Sequence, residues 1–83
     1  MHISSIIVHA EPAAVESVRM LIEAIPGLEV HAATDDGKLV VTIEAATDHD
    51  SITHTDTVRA LPGVLAVAMV FHQFEPDPEQ ELT

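Results

Sequence analysis

The fold is decided by one stretch in the middle of the chain, Asp35-Asp36-Gly37-Lys38-Leu39-Val40-Val41-Thr42-Ile43-Glu44-Ala45. Its first residues are typical of a tight turn, in which Gly37 is free to adopt a positive φ. The residues that follow alternate, with Leu39, Val41, Ile43 and Ala45 on one side and a more polar set on the other. The stretch therefore predicts a hairpin whose second strand has one buried face.

A repeated string lies on either side of this hairpin. Ile25-Pro26-Gly27-Leu28 recurs as Leu61-Pro62-Gly63-Val64, and each copy follows a helical pattern and precedes an apolar run. Each half of the chain also begins with a β-rich segment, so the order strand, helix, strand occurs twice. This order predicts an α+β, ferredoxin-like βαββαβ fold, in which a four-stranded antiparallel sheet carries two helices on one face.

Periodicity places the individual elements. Strands are predicted at 3–10, 28–34, 39–45 and 64–72, and the last is so continuously apolar that both of its faces are expected to be partly covered. The first helix opens at Glu11-Pro12, ends at Pro26-Gly27 and buries a stripe of Val15, Val18, Ile22 and Ile25. The second helix, 48–60, starts at a Thr47 or Asp48 cap and has Ile52, Thr55, Val58 and Leu61 as its inner stripe.

The 83 residues are enough for one domain. We assign residues 1–74 to it and expect the acidic, proline-containing tail 75–83 to be disordered. Cysteine is absent, no apolar run approaches a membrane span, and the first residues carry no export signal, so a cytoplasmic protein without membrane insertion is expected.

The charge balance restricts the partners. There are 14 acidic residues against three basic ones, which disfavours nucleic acid and anionic lipid and favours a cationic partner. A simple role in solubility is the alternative explanation. No nucleophile motif, phosphate loop or metal-ligand spacing is present, so neither catalysis nor a cofactor or metal is expected.

The sheet face without helices is the candidate binding surface, because an apolar patch that no helix covers usually marks a contact site. Strand four is predicted to turn Val67, Met69 and Phe71 toward the helices, and strand two to turn Glu29 and His31 outward. The predicted binding residues are Ile7, His9, Val40, Thr42, Glu44, Ala66, Ala68, Val70 and His72. A homodimer formed sheet to sheet, or a merely half-apolar sheet, remains the alternative.

Four strings resemble the NapD family over about residues 3 to 74. The most specific of them is the strand-four string Pro62-Gly63-Val64-Leu65-Ala66-Val67-Ala68-Met69-Val70-Phe71-His72-Gln73, which ends in Val70-Phe71-His72-Gln73. The others are Ser4-Ser5-Ile6-Ile7-Val8-His9-Ala10, Pro26-Gly27-Leu28-Glu29-Val30-His31 and Gly37-Lys38-Leu39-Val40-Val41-Thr42-Ile43-Glu44-Ala45. The resemblance implies an assembly chaperone that binds the twin-arginine signal peptide of the catalytic subunit of the periplasmic nitrate reductase. It implies that export is delayed until folding and cofactor insertion are complete.

The residues agree with this implication, since an apolar segment suits Ile7, Val40, Ala68 and Val70. Two arginines suit an acidic protein, in which Glu44 is the carboxylate nearest to this patch. The peptide could lie on the open face or add as a strand at an edge. The chain itself is expected to be a monomer or a weak homodimer. An ACT-like module that binds a small molecule, which uses the same strand order, is the alternative function.

Overall fold

The sheet has the strand order β2-β3-β1-β4, with every neighbouring pair antiparallel. The structure is a computed structural model that describes the backbone of residues 2–74 and the side chains of residues 2–70, so the predicted tail lies outside the described residues. The strands are β1 (His2–Ala10), β2 (Leu28–Ala33), β3 (Lys38–Ala45) and β4 (Val64–Phe74). The helices are α1 (Val15–Glu23) and α2 (Asp48–Arg59). The predicted ferredoxin-like fold is confirmed.

The core lies between one face of the sheet and the two helices. Ile6 and Val8 of β1 are fully buried, as are Leu39, Val41 and Ile43 of β3. Both helices contribute to the same cluster, α1 through Val18 and Ile22 and α2 through Val58. Both helices therefore cover the same face of the sheet, which we call the inner face, and the opposite surface is the outer face.

The repeated string forms the same turn twice. Gly27 and Gly63 have φ angles of 89° and 90°, which a residue with a side chain rarely adopts. After each helix the backbone closes equivalently, since Leu28 donates to the Ile25 carbonyl and Val64 donates to the Leu61 carbonyl, both at 3.2 Å. The repeat is thus the point at which each helix ends and its following strand begins.

The first helix buries the stripe that its sequence predicts. Val18 and Ile22 are fully buried, and Val15 and Ile25 pack partly against the core. Its first turn differs from the prediction, because Pro12–Ala14 forms a 3-10 turn before the α-helix begins at Val15.

The inner stripe predicted for the second helix was wrong in one residue. Ile52 is 56% exposed, and Ser51 is buried in its place beside Thr55 and Val58. The hydroxyls of Thr53, Thr55 and Thr57 each donate to the carbonyl four residues earlier at 2.9 Å, which satisfies them within the helix. Thr47 caps the helix by accepting a hydrogen bond from the Asp50 amide. Because α2 contains few apolar residues, its sequence pattern is too weak to predict which side of the helix faces the sheet.

Strand β4 is less covered than its sequence predicts. Leu65, Met69 and Val70 are 66%, 47% and 59% exposed, so its continuous apolar character does not reflect burial on both faces. The register with β1 shifts twice, between His9 and Ala10 and between Ser5 and Ile6. Leu65 and Val70 are the residues without a partner at these shifts. The extra residues accommodate the twist of the sheet edge and break the strict alternation of the strand.

Candidate functional site

Within the part of the chain that the structure describes, no helix covers the outer face. Strand β1 turns Ser4, Ile6, Val8 and Ala10 into the core, which leaves Ser5, Ile7 and His9 on the outer face. Strand β3 buries Leu39, Val41, Ile43 and Ala45 and leaves Lys38, Val40, Thr42 and Glu44 on the outer face. The strand faces predicted for β1 and β3 are therefore correct.

An unbroken line of apolar side chains crosses all four strands of the outer face. Ala32 of β2 is the Cα partner of Val40, Val40 is the partner of Ile7, and Ile7 is the partner of Ala68. We call these four residues the apolar row. Val40 is 37% exposed, Ala32 and Ala68 are exposed, and Ile7 is half-buried. Strands lie about 4.8 Å apart, so the row is about 14 Å wide.

The two rows of residues that flank the apolar row on the outer face contain polar side chains and differ in charge. Toward the β2–β3 hairpin, Lys38 is the partner of His9, and His9 is the partner of Ala66. Away from the hairpin, Glu29 is the partner of Thr42, and Thr42 is the partner of Ser5. The face therefore has Lys38 and His9 at one end, next to the hairpin aspartates, and Glu29 at the other end.

The acidic end contains a pocket. Glu29, Thr42 and Glu44 line a cavity of about 320 Å³ with Gly27 and Leu28, and Glu44 also borders an adjoining cavity of about 420 Å³. We call Glu29, Thr42 and Glu44 the acidic corner. Glu29 and Glu44 are diagonal neighbours on antiparallel strands, which places their backbones about 7–8 Å apart. Two exposed carboxylates at this spacing suit a cationic ligand.

Because Gly27 has no side chain, its backbone can lie close to the backbone of Glu44 at the acidic corner. Its carbonyl accepts a hydrogen bond from the Glu44 amide at 2.8 Å. A Cβ on Gly27 would lie 2.7 Å from the Glu44 carbonyl oxygen, which is closer than real Cβ contacts. Gly27, which lies in the turn between α1 and β2, therefore also lines the pocket.

A bulge in β2 places a histidine at the acidic corner. The register between β2 and β3 shifts between Val30 and Ala32, and His31 is the extra residue. Its Nε2 lies 2.7 Å from the Thr42 hydroxyl, at hydrogen-bonding distance. This contact fixes the Thr42 side chain beside Glu29 on the outer face.

The arginines lie on the helices and already have acidic partners. Arg19 pairs with Glu16 and Glu23 on α1, and Arg59 pairs with Asp56 on α2. The hydrogen bond from Arg19 holds the pKa of the Glu16 carboxyl below its ordinary value. Within residues 2–70, none of the ion pairs involves Glu29 or Glu44. The acidic corner therefore keeps its charge for a ligand.

The structure brings most of the predicted binding residues onto one surface. The outer face holds Ile7, His9, Val40, Thr42, Glu44, Ala66 and Ala68. Val70 is exposed but lies at a register shift, without a partner on β1. The side chains of Phe71 and His72 lie outside the described residues. The shift also breaks the alternation from which their faces were predicted. Whether these residues bind a ligand stays a prediction.

The predicted set left out one residue of the apolar row and one of the acidic corner. Ala32 completes the apolar row, and Glu29 supplies the second carboxylate of the acidic corner. Glu29 could have been found from the predicted alternation of β2, which turns it outward. Ala32 could not, because strict alternation from Val30 places it on the inner face and the bulge at His31 reverses it.

Two classes of site find no support in the described residues. Among residues 2–70, no three His, Cys, Asp or Glu side chains gather to hold a metal ion. Neither described helix is long and apolar enough to cross a membrane.

A family model and named relatives match most of the chain. The family model described as NapD protein matches residues 1–76. The chain is 35% identical over 80 residues to chaperone NapD of Escherichia coli K12, covering 94% of this chain and 91% of the relative. It is 32% identical over 81 residues to chaperone NapD of Paracoccus pantotrophus, covering 98% of this chain and 71% of the relative.

Solved structures agree in fold. The solution structure of the E. coli Tat proofreading chaperone protein NapD superposes with a TM-score of 0.80 at 34% identity, covering 88% of this chain and 78% of the other. A transcriptional regulatory protein of the AsnC family from Pyrococcus furiosus superposes with a TM-score of 0.73 at 15% identity, covering 99% of this chain and 56% of the other. The second likeness shows the fold alone.

Proposed function

We propose that this chain, which belongs to the NapD family, is a cytoplasmic proofreading chaperone whose outer face binds a twin-arginine signal peptide. The peptide is that of the catalytic subunit of the periplasmic nitrate reductase. Binding delays export of that subunit until its cofactor is inserted and it has folded. The protein acts by binding and performs no catalysis.

The observation that carries the proposal is the position of the acidic corner beside the apolar row. A twin-arginine signal joins two cationic side chains to an apolar segment. The outer face offers two carboxylates without ion-pair partners in the described chain and, next to them, a line of small and branched apolar side chains. The chemistry of the face therefore matches the chemistry of the peptide in both parts.

The edges of the sheet are less suitable than its face. An added strand needs a regular row of free amide and carbonyl groups. Both edge strands have register shifts, β2 at His31 and β4 at Leu65 and Val70. Such bulges twist an edge strand and hinder the pairing of another chain. The shifts support binding on the outer face.

The apolar contacts should supply most of the affinity. Fully burying an apolar side chain contributes about 1.5–3 kcal/mol, whereas an exposed ion pair contributes about 0–1 kcal/mol. Charges should mainly set the encounter rate, the orientation and the dependence on salt. Membership of the NapD family supports this function over an ACT-like regulatory module.

Calorimetry with a synthetic twin-arginine peptide tests the proposal. We expect binding that weakens when both arginines are replaced with glutamine and when salt is added. Ala68→Arg should abolish binding while the circular dichroism spectrum stays native, because the long side chain stands in the apolar row.

Ala24→Arg is the matched control, since Ala24 is exposed at the end of α1 on the helix side. It should bind the peptide like the unmodified protein. Full binding by Ala68→Arg, or a peptide that binds equally well without its arginines, would contradict the proposal.

A further inference from the structure

We infer that the outer face binds its peptide in one direction, with the cationic segment at the acidic corner and the apolar segment running across Val40 and Ile7 toward Ala66 and Ala68. This inference rests on the proposed function and assigns a role to Glu29. Glu29 and Glu44 together become the residues that select for the arginine pair and set the direction.

The charge difference between the two ends of the face is the first argument. Lys38 and Glu44 lie on the same face of β3, six residues apart, so about 20 Å separates their backbones. At the hairpin end the charge of Lys38 lies near the Asp36 carboxylate, whereas Glu29 and Glu44 at the opposite end have no ion-pair partner within residues 2–70. In the reverse direction the two arginines would lie over Ala66 and Ala68 of β4, and the apolar segment would cover two carboxylates.

Three carboxylates on the helix side already have an arginine partner. The carboxylates of Glu16, Glu23 and Asp56 already face an arginine of their own helix. An incoming cation would have to displace that arginine. At the acidic corner it would instead relieve the repulsion between Glu29 and Glu44.

The shape of the face is the second argument. The pocket between Gly27, Glu29 and Glu44 has room for a guanidinium group, and Thr42 lies between it and the apolar row. On the far side of that row, Ala66 and Ala68 are both exposed on β4 and form a shallow floor. An apolar segment that leaves the acidic corner therefore crosses Val40 and Ile7 before it reaches the floor.

Charge variants test the role of the acidic corner. Glu29→Gln and Glu44→Gln should each weaken binding of the twin-arginine peptide by about two- to five-fold, the size of an exposed ion pair. Neither should alter binding of the peptide that has glutamines in place of both arginines. Asp35→Asn is the matched control, because it removes the same charge from the hairpin at the other end of the sheet and should leave both affinities unchanged. An equal effect of all three changes would overturn the inference.

Direction is measured with a nitroxide label on either end of the peptide and the amide signals of the isotopically labelled protein. A label before the arginines should broaden the amides of Glu29 and Glu44 most strongly. A label after the apolar segment should broaden Ala66 and Ala68. A reversed pattern, or equal broadening from both labels, would overturn the direction and leave the proposed function standing. Absence of any binding would overturn both.

Discussion

The two faces of the sheet are built by the same strands and differ in nearly every physical respect. On the inner face, Ile6 and Val41 are fully buried beneath the helices. Ile7 and Val40, which are their immediate neighbours in sequence, lie on the outer face, where Val40 is 37% exposed. Neighbouring residues of similar chemistry therefore have separate tasks. The inner set stabilises the fold, and the outer set is available for recognition.

The largest expected effect is a charge placed on either side of β3. Val41→Asp buries a carboxylate without a partner, which costs several kcal/mol against a total stability of about 5–15 kcal/mol, so the domain should unfold. Val40→Asp places the same group on the outer face and should cost about 1 kcal/mol. Circular dichroism and urea titration measure both changes. A folded Val41→Asp variant would mean that the inner face admits water.

Truncating adjacent isoleucines of β1 separates stability from binding. Ile6→Ala leaves a cavity in the core and should lower the free energy of unfolding by about 2–5 kcal/mol. Ile7→Ala should lower it by about 1 kcal/mol but weaken peptide binding roughly ten-fold, because about half of the Ile7 side chain becomes buried only in the complex. Urea unfolding and calorimetry on the same two proteins provide the test. Similar unfolding energies for the two variants would erase the distinction between the faces.

A smaller effect, of opposite sign, is expected beneath α2. The Ser51 hydroxyl is buried and has no hydrogen-bond partner in the described part of the chain. Ser51→Ala should therefore raise the free energy of unfolding by about 1 kcal/mol, since it removes an unsatisfied group. Ser17→Ala on the exposed side of α1 is the control, and it reports helix propensity alone. Equal gains in the two variants would show that the buried hydroxyl costs nothing.

The smallest effect belongs to the β2–β3 hairpin, which lies at the Lys38 end of the outer face. The Thr34 hydroxyl donates to the Asp36 carboxylate and, with the nearby Lys38 charge, holds the pKa of Asp36 below its ordinary value. A lowered pKa stabilises the fold above the unfolded-state pKa, and this contribution is lost as the pH falls through the folded-state pKa. Thr34→Val should raise the pKa of Asp36 toward its ordinary value, as followed by a nuclear magnetic resonance titration of the carboxyl group. The same titration in Thr53→Val should show no change.

Sequence reasoning was strongest where a pattern is local and marked. The alternation in β3 predicted correctly which residues lie on each face, and the stripe of α1 predicted Val18 and Ile22 as core residues. It was weakest in α2, whose few apolar side chains led to Ile52 rather than Ser51 as the inner residue. A weak stripe leaves the orientation of a helix to its packing partners.

The sequence by itself determined the order of elements, the ends of the helices at the repeated Pro-Gly turns, and the two faces of the central strands. These features follow from backbone preferences and from a side-chain period of two, which act between near neighbours. Only the tertiary structure decided which residues of different strands lie side by side. The bulge at His31 brings Ala32 into the apolar row, and the pairing of β2 with β3 brings Glu29 beside Glu44. Register is a property of two strands together, so no single segment could have specified the acidic corner.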